Sequence, residues 1–106
     1  MNIILLVKLT GIIPKFELGK LALTRGLNDD VAGNINIAKF VNDSLKKYVR
    51  KDWGDCDEED TELNNLAVQD GGSRILAKYS HFKFEDIFII TELDRSVTTM
   101  LYTNEY

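Results

Sequence analysis

The chain of 106 residues has only one cysteine, one histidine, one proline and one tryptophan, and two of these scarcities exclude whole classes of protein. A single cysteine, Cys56, cannot form an internal disulfide, which argues against a disulfide-stapled secreted domain and favours a reducing compartment. One cysteine and one histidine, His81, cannot supply the usual nitrogen and sulfur ligands of a zinc site. We therefore expect a cytoplasmic protein without a transition-metal cofactor.

Long apolar runs are also missing. The most apolar segment, residues 1–15, is interrupted by Lys8 and Gly11 and falls short of the roughly 20 residues that a membrane-spanning helix needs. It also lacks the basic start and the small-residue cleavage site of a signal peptide. We expect residues 1–15 to form an N-terminal extension, as a strand, and residues 16–106 to form a single domain with no membrane partner.

Charge is distributed unevenly along the chain, whose formal net charge is −4. Residues 1–51 hold nine Lys or Arg against four Asp or Glu, whereas residues 52–106 hold four against thirteen. One interpretation makes the basic cluster at 46–51 a nucleic-acid patch and the acidic cluster at 52–62 a DNA-mimicking or metal-binding surface. We favour a structural interpretation, in which the clusters end one helix and begin the next. Direct nucleic-acid binding is not expected.

Apolar periodicity predicts an α+β fold in which a small antiparallel sheet packs on two helices. Residues 16–24 alternate as an N-terminal strand, which residues 25–29 leave through a turn. Residues 74–79, 84–93 and 97–102 are rich in β-branched and aromatic side chains and predict a C-terminal three-stranded meander. Aspartate and serine in the turn between the last two strands provide local hydrogen bonds.

Two helices are predicted between the first strand and the meander. The first spans about residues 36–51 and is capped by Asn34 or Asn36. Its apolar stripe consists of Ile37, Phe40, Val41, Leu45, Tyr48 and Val49. The second begins after Asp57, its N-cap, and ends near Asp70, where two glycines follow. Its predicted buried side consists of Leu63, Leu66 and Ala67.

The residue types that carry out catalysis are thinly represented. His81 lies in a predicted turn between strands, a setting more typical of a surface histidine than of a general base. Neighbouring carboxylates should raise the thiol pKa of Cys56, which is the wrong direction for a nucleophile. We therefore predict no catalytic residue, no metal and no cofactor. A hard-cation site built from Asp52, Asp55 and Asp94 stays an open alternative.

Trp53 lies in a polar motif, residues 52–55, between the two predicted helices. Its ring can anchor the core, with the indole N–H bound to a polar partner. Alternatively, the ring can serve as a platform on which a nucleotide base stacks, with Asp52 and Asp55 accepting hydrogen bonds from the base or the ribose. The sequence alone leaves both interpretations open.

A second polar motif, residues 94–96, forms the turn of the last hairpin, and with nearby threonine hydroxyls it offers groups that can bind a phosphate. A structural alternative is a salt bridge that ties this turn to residues 52–55. We predict that both motifs contribute to one recognition surface, which subunits of a homo-oligomer could share. Its predicted members are Trp53, Asp55, Asp94, Arg95 and Thr98.

The most distinctive segments occur in a fixed order: Phe16-Glu17-Leu18-Gly19, Leu23 to Asp29, Ala38-Lys39-Phe40-Val41, Asp43 to Lys46, Asp52-Trp53-Gly54-Asp55, Glu58-Glu59-Asp60, Ile89-Ile90-Thr91-Glu92, Asp94 to Thr99, and Glu105-Tyr106. In this order they resemble a family of short proteins found on bacterial plasmids, phages and integrated elements. Its members are often labelled "plasmid-related protein" or, misleadingly, "type I restriction endonuclease subunit M". The similarity covers about residues 16–106. The chain departs from the family at Cys56, where an apolar residue is usual, and at Thr103-Asn104, where a proline is frequent.

The resemblance implies a phage or mobile-element accessory protein, and it carries over no catalytic residues. A chain this short has no room for a methyltransferase domain, so the restriction label cannot be literal. We expect a non-enzymatic counter-defence binder that either inhibits a host defence protein or sequesters a small nucleotide signal. The alternatives are a metal-assisted nucleotide hydrolase or nuclease, and an interaction module for plasmid maintenance.

Overall fold

The computed structural model describes residues 13–106, which form three α-helices and a four-stranded sheet. In chain order, the elements are β1 (Lys20–Leu23), α1 (Arg25–Gly33), α2 (Ile35–Val49), α3 (Glu58–Asp70), β2 (Ile75–His81), β3 (Phe84–Thr91), β4 (Val97–Tyr102) and a short 3-10 helix (Thr103–Glu105). The predicted α+β class is confirmed. The strand predicted for residues 1–15 lies almost entirely outside the described residues.

The sheet has the strand order β1-β4-β3-β2. Strands β2, β3 and β4 form the predicted antiparallel meander. Strand β1, however, pairs in parallel with β4, with Lys20 opposite Val97, so the sheet is mixed rather than wholly antiparallel. A parallel pair requires a long crossover connection, and the chain supplies one because three helices and two strands separate β1 from β4.

Helix α1 was not predicted, because its first residues were assigned to a turn. Gly26, Asn28 and Asp29 are typical turn residues. In the structure, Leu27 and Val31, one helical turn apart, are buried against the rest of the core. Tertiary burial of these two side chains therefore overrides the local preference. The preceding strand is correspondingly short, since β1 covers only the second half of the predicted segment.

Helix α2 follows the prediction closely. The Asn34 side chain caps it, since its Oδ1 accepts hydrogen bonds from the backbone N–H groups of Asn36 and Ile37 at 2.9 and 3.4 Å. The buried face of the helix packs into the hydrophobic core together with side chains from α1 and from one face of the sheet. Its fully or nearly fully buried residues are Ala38, Phe40, Val41, Ser44, Leu45, Tyr48 and Val49.

Helix α3 has the predicted ends but a different buried face. Asp57 accepts a hydrogen bond from the Asp60 N–H, and Gly71 ends the helix in the left-handed conformation with φ of 70°. The predicted burial of Leu63 and Leu66 is wrong, because these side chains are 56% and 47% exposed. The buried positions are Asn64 and Ala67.

The edge of strand β2 explains why α3 is oriented in this way. The Asn64 side chain donates to the Leu76 carbonyl at 2.8 Å and accepts from the Leu76 N–H at 3.2 Å. Further along the same edge, the Asp55 N–H donates to the Lys78 carbonyl at 2.8 Å. Backbone groups of β2 that an additional strand would otherwise use are thereby paired, which protects the edge from association.

Candidate functional site

The Trp53 ring lies in the core. It is 3% exposed, and its centroid lies 5.4 Å from that of Tyr48 and 5.8 Å from that of Phe16. The indole Nε1 donates to the Asn65 Oδ1 at 3.0 Å. Because the ring is almost completely buried, it has the geometry of a core anchor rather than of an open platform on which a base could stack.

Arg95 binds main-chain carbonyl oxygens. Its Nη1 donates to the Ser73, Glu92 and Leu93 carbonyls at 2.8, 3.0 and 3.4 Å, and its Nη2 donates to the Ala67 carbonyl at 2.8 Å. These bonds tie the β3–β4 hairpin to the C-terminal end of α3. The salt bridge to residues 52–55 is not formed: within residues 13–106, the only ion pair joins Lys78 and Asp86.

Thr98 belongs to a buried chain of hydroxyl groups. Its Oγ1 donates to the Leu18 carbonyl at 2.7 Å, so it accepts from the Thr91 hydroxyl 2.7 Å away. Thr91 in turn accepts from the Tyr48 hydroxyl at 2.7 Å. Burial raises the pKa of Tyr48, which keeps this hydroxyl protonated as the donor at the start of the chain.

Asp94 is exposed in the turn that precedes β4. Its Oδ1 accepts a hydrogen bond from the Ser96 N–H at 2.9 Å, and hydrogen bonding to the side chain and backbone of Ser96 lowers the pKa of Asp94. Within the described part of the chain, no hydrogen bond or ion pair connects residues 94–98 with residues 52–55. No direct bond of this kind therefore supports the shared recognition surface, which stays a prediction.

Of the predicted site residues, Asp55 lines a cleft of about 460 Å³ between α2 and the outer end of the β2–β3 hairpin. This volume is within the range of small-molecule binding sites. One wall of the cleft consists of Gly54, Asp55 and residues 79–84. The other wall is one face of α2, formed by Asn36, Lys39, Phe40, Asp43, Ser44 and Lys47.

A β-bulge shapes the hairpin wall. The pairing register shifts between Tyr79 and His81, where the single residue Ser80 of β2 faces Glu85 and Asp86 of β3, so the extra residue lies in β3. A bulge bends its strand and re-aims the side chains around it. Because the bulge in β3 bends the hairpin near its turn, consecutive residues at the end of β2 can line the same cleft, which strict alternation of side chains would not allow.

Glycine is required at position 54, where the polar end of the cleft begins. Gly54 has φ of 67°, and a Cβ atom there would collide with the Lys78 carbonyl oxygen. This close approach allows residues 54 and 55 to run alongside β2 and places the Asp55 carboxylate where it accepts a hydrogen bond from the Ser80 hydroxyl.

The opposite end of the cleft is aromatic. The His81 ring stacks between Phe82 and Phe84, with centroids 4.8 and 4.6 Å away, and it also contacts Phe40 at 5.2 Å. Phe82 is 89% exposed, so one face of this stack is open. The Lys83 N–H donates to the His81 Nδ1, which leaves Nε2 to carry the proton of the neutral ring.

Five charged side chains surround the cleft. Lys39 and Lys83 belong to its aromatic end, where the Lys83 Nζ lies 5.5 Å from the centroid of the Phe82 ring. At the polar end, Lys47 lies near the loop of Asp55, because the Lys47 carbonyl accepts from the backbone N–H of residue 52 at 2.9 Å. Asp43 lies on α2 between the two lysines of that helix. The cleft thus combines an open aromatic face with ammonium groups, an arrangement that suits a planar anionic ligand.

Sequence reasoning did not single out this cleft. The lysines at positions 39 and 47, two helical turns apart, and the exposed Phe82-Lys83 turn were the available signals. These residues indicate a site only when the fold brings α2 beside the hairpin. His81, expected at a surface turn, instead has its ring half-buried in the aromatic stack.

The structure also bears on the residues considered for metal binding, for thiol chemistry and for a membrane span. Within residues 13–106, no group of three or more His, Cys, Asp or Glu side chains is arranged to hold a metal ion, so Asp52, Asp55 and Asp94 are not brought together. Burial raises the pKa of the Cys56 thiol, and nearby carboxylates add to the effect. No helix in the described residues is long and apolar enough to cross a membrane.

Comparison of the chain with protein-family models, with curated proteins and with solved structures finds no match. The function is therefore inferred from the geometry of the site, together with the resemblance described above.

Proposed function

We propose that this chain is a non-enzymatic counter-defence protein of a mobile element and that it sequesters a small nucleotide in the cleft between α2 and the β2–β3 hairpin. The observation that carries the proposal is the open Phe82 ring, stacked on His81 with lysine ammonium groups nearby. The setting on a mobile element rests on the resemblance of residues 16–106 to that family.

The physical support comes from two interactions that nucleotides use in general. Stacking of a base on an aromatic side chain contributes roughly 1–3 kcal/mol, and any base can make it. Lysine ammonium groups bind phosphate as point charges. Phe82 offers the first interaction, and Lys39 and Lys83 offer the second. Binding without turnover is sufficient for this role, because a protein that removes a signal from solution needs only affinity and abundance.

Isothermal titration calorimetry with AMP and ATP tests the proposal, and native mass spectrometry of protein purified from its host checks whether a nucleotide is retained. Phe82→Ala should weaken binding by about tenfold or more, since it removes the stacking platform. Tyr106→Ala, at another exposed aromatic residue outside the cleft, should bind as the unaltered chain does. Absence of nucleotide in both measurements, or unchanged affinity in Phe82→Ala, would overturn the proposal.

The same samples distinguish binding from hydrolysis. When nucleotide is incubated with the protein and Mg²⁺, the sequestration proposal requires that it be recovered intact. Conversion of the nucleotide, absent from the Phe82→Ala sample, would favour the metal-assisted hydrolase instead.

A second candidate function is occlusion of a host defence protein by α3. This helix carries five acidic side chains and no basic one, and two leucines, Leu63 and Leu66, are exposed among them. An apolar centre with a charged rim is typical of protein-binding surfaces. Pull-down of host proteins with the unaltered chain and with the Leu63→Ser/Leu66→Ser variant tests this function. A defence protein retained only by the unaltered chain supports it, and equal recovery contradicts it.

A further inference from the structure

The proposed nucleotide site has two ends of different chemistry, and this difference bears on which nucleotide it accepts. The aromatic end contains Lys39 and Lys83 and no carboxylate. The polar end contains the Asp55 carboxylate and one lysine, Lys47, while Asp43 lies on α2 between Lys39 and Lys47. A phosphate is therefore favoured near the first end, which has two ammonium groups, whereas the Asp55 carboxylate at the second end needs a hydrogen-bond donor.

We infer, resting on the proposed function, that the cleft selects a ribonucleotide over a deoxyribonucleotide: the base stacks on Phe82, the phosphate lies beside Lys39 and Lys83, and ribose hydroxyls donate to the Asp55 carboxylate. Carboxylates fulfil this role in dinucleotide-binding folds, where an acidic side chain accepts from the ribose 2′-hydroxyl. The 2′-hydroxyl is also the group by which proteins distinguish ribose from deoxyribose.

The Asp55 carboxylate is held in a fixed position, as a selective acceptor must be. Its backbone N–H donates to the Lys78 carbonyl at 2.8 Å, and its Oδ2 accepts from the Ser80 hydroxyl. An ionised carboxylate has about four acceptor positions, so this single side-chain bond leaves capacity for two further donors. A vicinal diol supplies two donors on adjacent carbon atoms.

The spacing along the hairpin suits a nucleoside. Ser80, which holds the Asp55 carboxylate, lies near the end of β2, two residues before Phe82 in the hairpin turn. A base stacked on Phe82 would therefore place its sugar toward Ser80 and Asp55. On the opposite wall, α2 runs from Lys39 past Asp43 to Lys47, about 12 Å along its axis.

Calorimetric titration of the unaltered chain with AMP, 2′-dAMP and 2′,3′-dideoxy-AMP tests the inference. We expect 2′-dAMP and the dideoxy compound to bind about tenfold or more weakly than AMP, because a hydrogen bond to a charged acceptor is lost. In Asp55→Asn, whose amide oxygen keeps an acceptor for Ser80 but removes the charge, the preference for AMP should fall severalfold. Asp29→Asn, at an exposed carboxylate on α1, should retain the full preference.

The possible outcomes separate the two proposals. Equal affinity for AMP and 2′-dAMP in the unaltered chain overturns the ribose inference and leaves nucleotide sequestration standing. Failure of all three compounds to bind overturns both. An undiminished preference in Asp55→Asn overturns the assignment of the acceptor. The comparison of ligands on the unaltered chain does not depend on the folding of any variant, so the inference stays testable even if Asp55→Asn is unstable.

Discussion

Single polar side chains in this protein join backbone segments that are distant in the sequence. Arg95 reaches the Ala67 carbonyl, Asn64 pairs with the backbone of Leu76, and Thr98 donates to the Leu18 carbonyl. Each bond satisfies a main-chain group without requiring a buried ion pair, whose desolvation penalty can exceed its attraction. Polar residues that look excessive for a turn can therefore be explained by the long-range backbone groups they satisfy.

Replacing Arg95 by alanine should lower the free energy of unfolding by about 1–3 kcal/mol, because four carbonyl groups lose a charged donor. Arg95 also has φ of 61°, which glycine adopts without strain. Arg95→Gly should therefore be less destabilised than Arg95→Ala, by up to about 1 kcal/mol. Urea denaturation of the two variants and the unaltered chain measures both differences.

The same pair of variants tests the predicted part of Arg95 in recognition. An unfolding free energy in Arg95→Ala equal to that of the unaltered chain, combined with lost ligand binding, would support recognition and contradict the structural role. Reduced stability with intact binding at a temperature where the variant is folded would refute recognition.

At the scale of secondary-structure elements, the sequence predicts those helices and strands whose buried residues recur at the regular spacing of a helix or a strand. The stripe of α2 and the β-branched strands of the meander lie where their periodicity puts them. Helix α1 and the parallel pairing of β1 with β4 could not be predicted in this way, because they depend on contacts with residues far away in the chain. The buried face of α3 was missed for a related reason: a polar side chain, Asn64, faces the strand edge.

This orientation of α3 predicts an unusual order of mutational effects. Asn64→Ala should destabilise the protein by about 1–3 kcal/mol, since the Leu76 N–H loses its partner and the Leu76 carbonyl keeps only the weak Cys56 thiol donor at 3.5 Å. Leu63→Ala should change stability by no more than about 0.5 kcal/mol, because that side chain is 56% exposed. Thermal and urea unfolding measure both. A larger loss in Leu63→Ala than in Asn64→Ala would show that α3 buries its leucines, as its sequence suggests.

The packing of α2 on the meander gives a second prediction at this scale. Phe40 is 8% exposed and contacts the rings of His81 and Phe84, so Phe40→Ala should lower the free energy of unfolding by about 3–5 kcal/mol. Ile35→Ala, on the same helix but 77% exposed, is the matched control and should be nearly neutral. A melting temperature unchanged in Phe40→Ala would mean that this face of the helix is not part of the core.

At the scale of the whole molecule, the fold decides where the opposed charges of the two halves of the chain meet. The cleft lies between α2, from the basic half, and the hairpin and loop of the acidic half, so it contains ammonium groups although the net charge of the chain is −4. Such a site could not be predicted from the sequence, because residues 39–47 and 79–84 become neighbours only through the tertiary structure. The same arrangement implies two separable contributions to ligand binding, one electrostatic and one from stacking.

Raising the NaCl concentration should separate these contributions. Between about 0.1 M and 1 M salt, the screening length falls from about 10 Å to about 3 Å, so the AMP affinity of the unaltered chain should fall by a few fold. Lys39→Gln should bind AMP more weakly at low salt and respond less to added salt, whereas Phe82→Ala should lose a similar factor at both concentrations because stacking is not screened. Lys46→Gln, on α2 but outside the cleft, serves as the control and should match the unaltered chain. Calorimetric titration at the two salt concentrations measures these changes. If the unaltered chain and Lys39→Gln respond equally to salt, the phosphate does not lie beside Lys39, and the orientation of the ligand inferred from the two ends of the cleft is wrong.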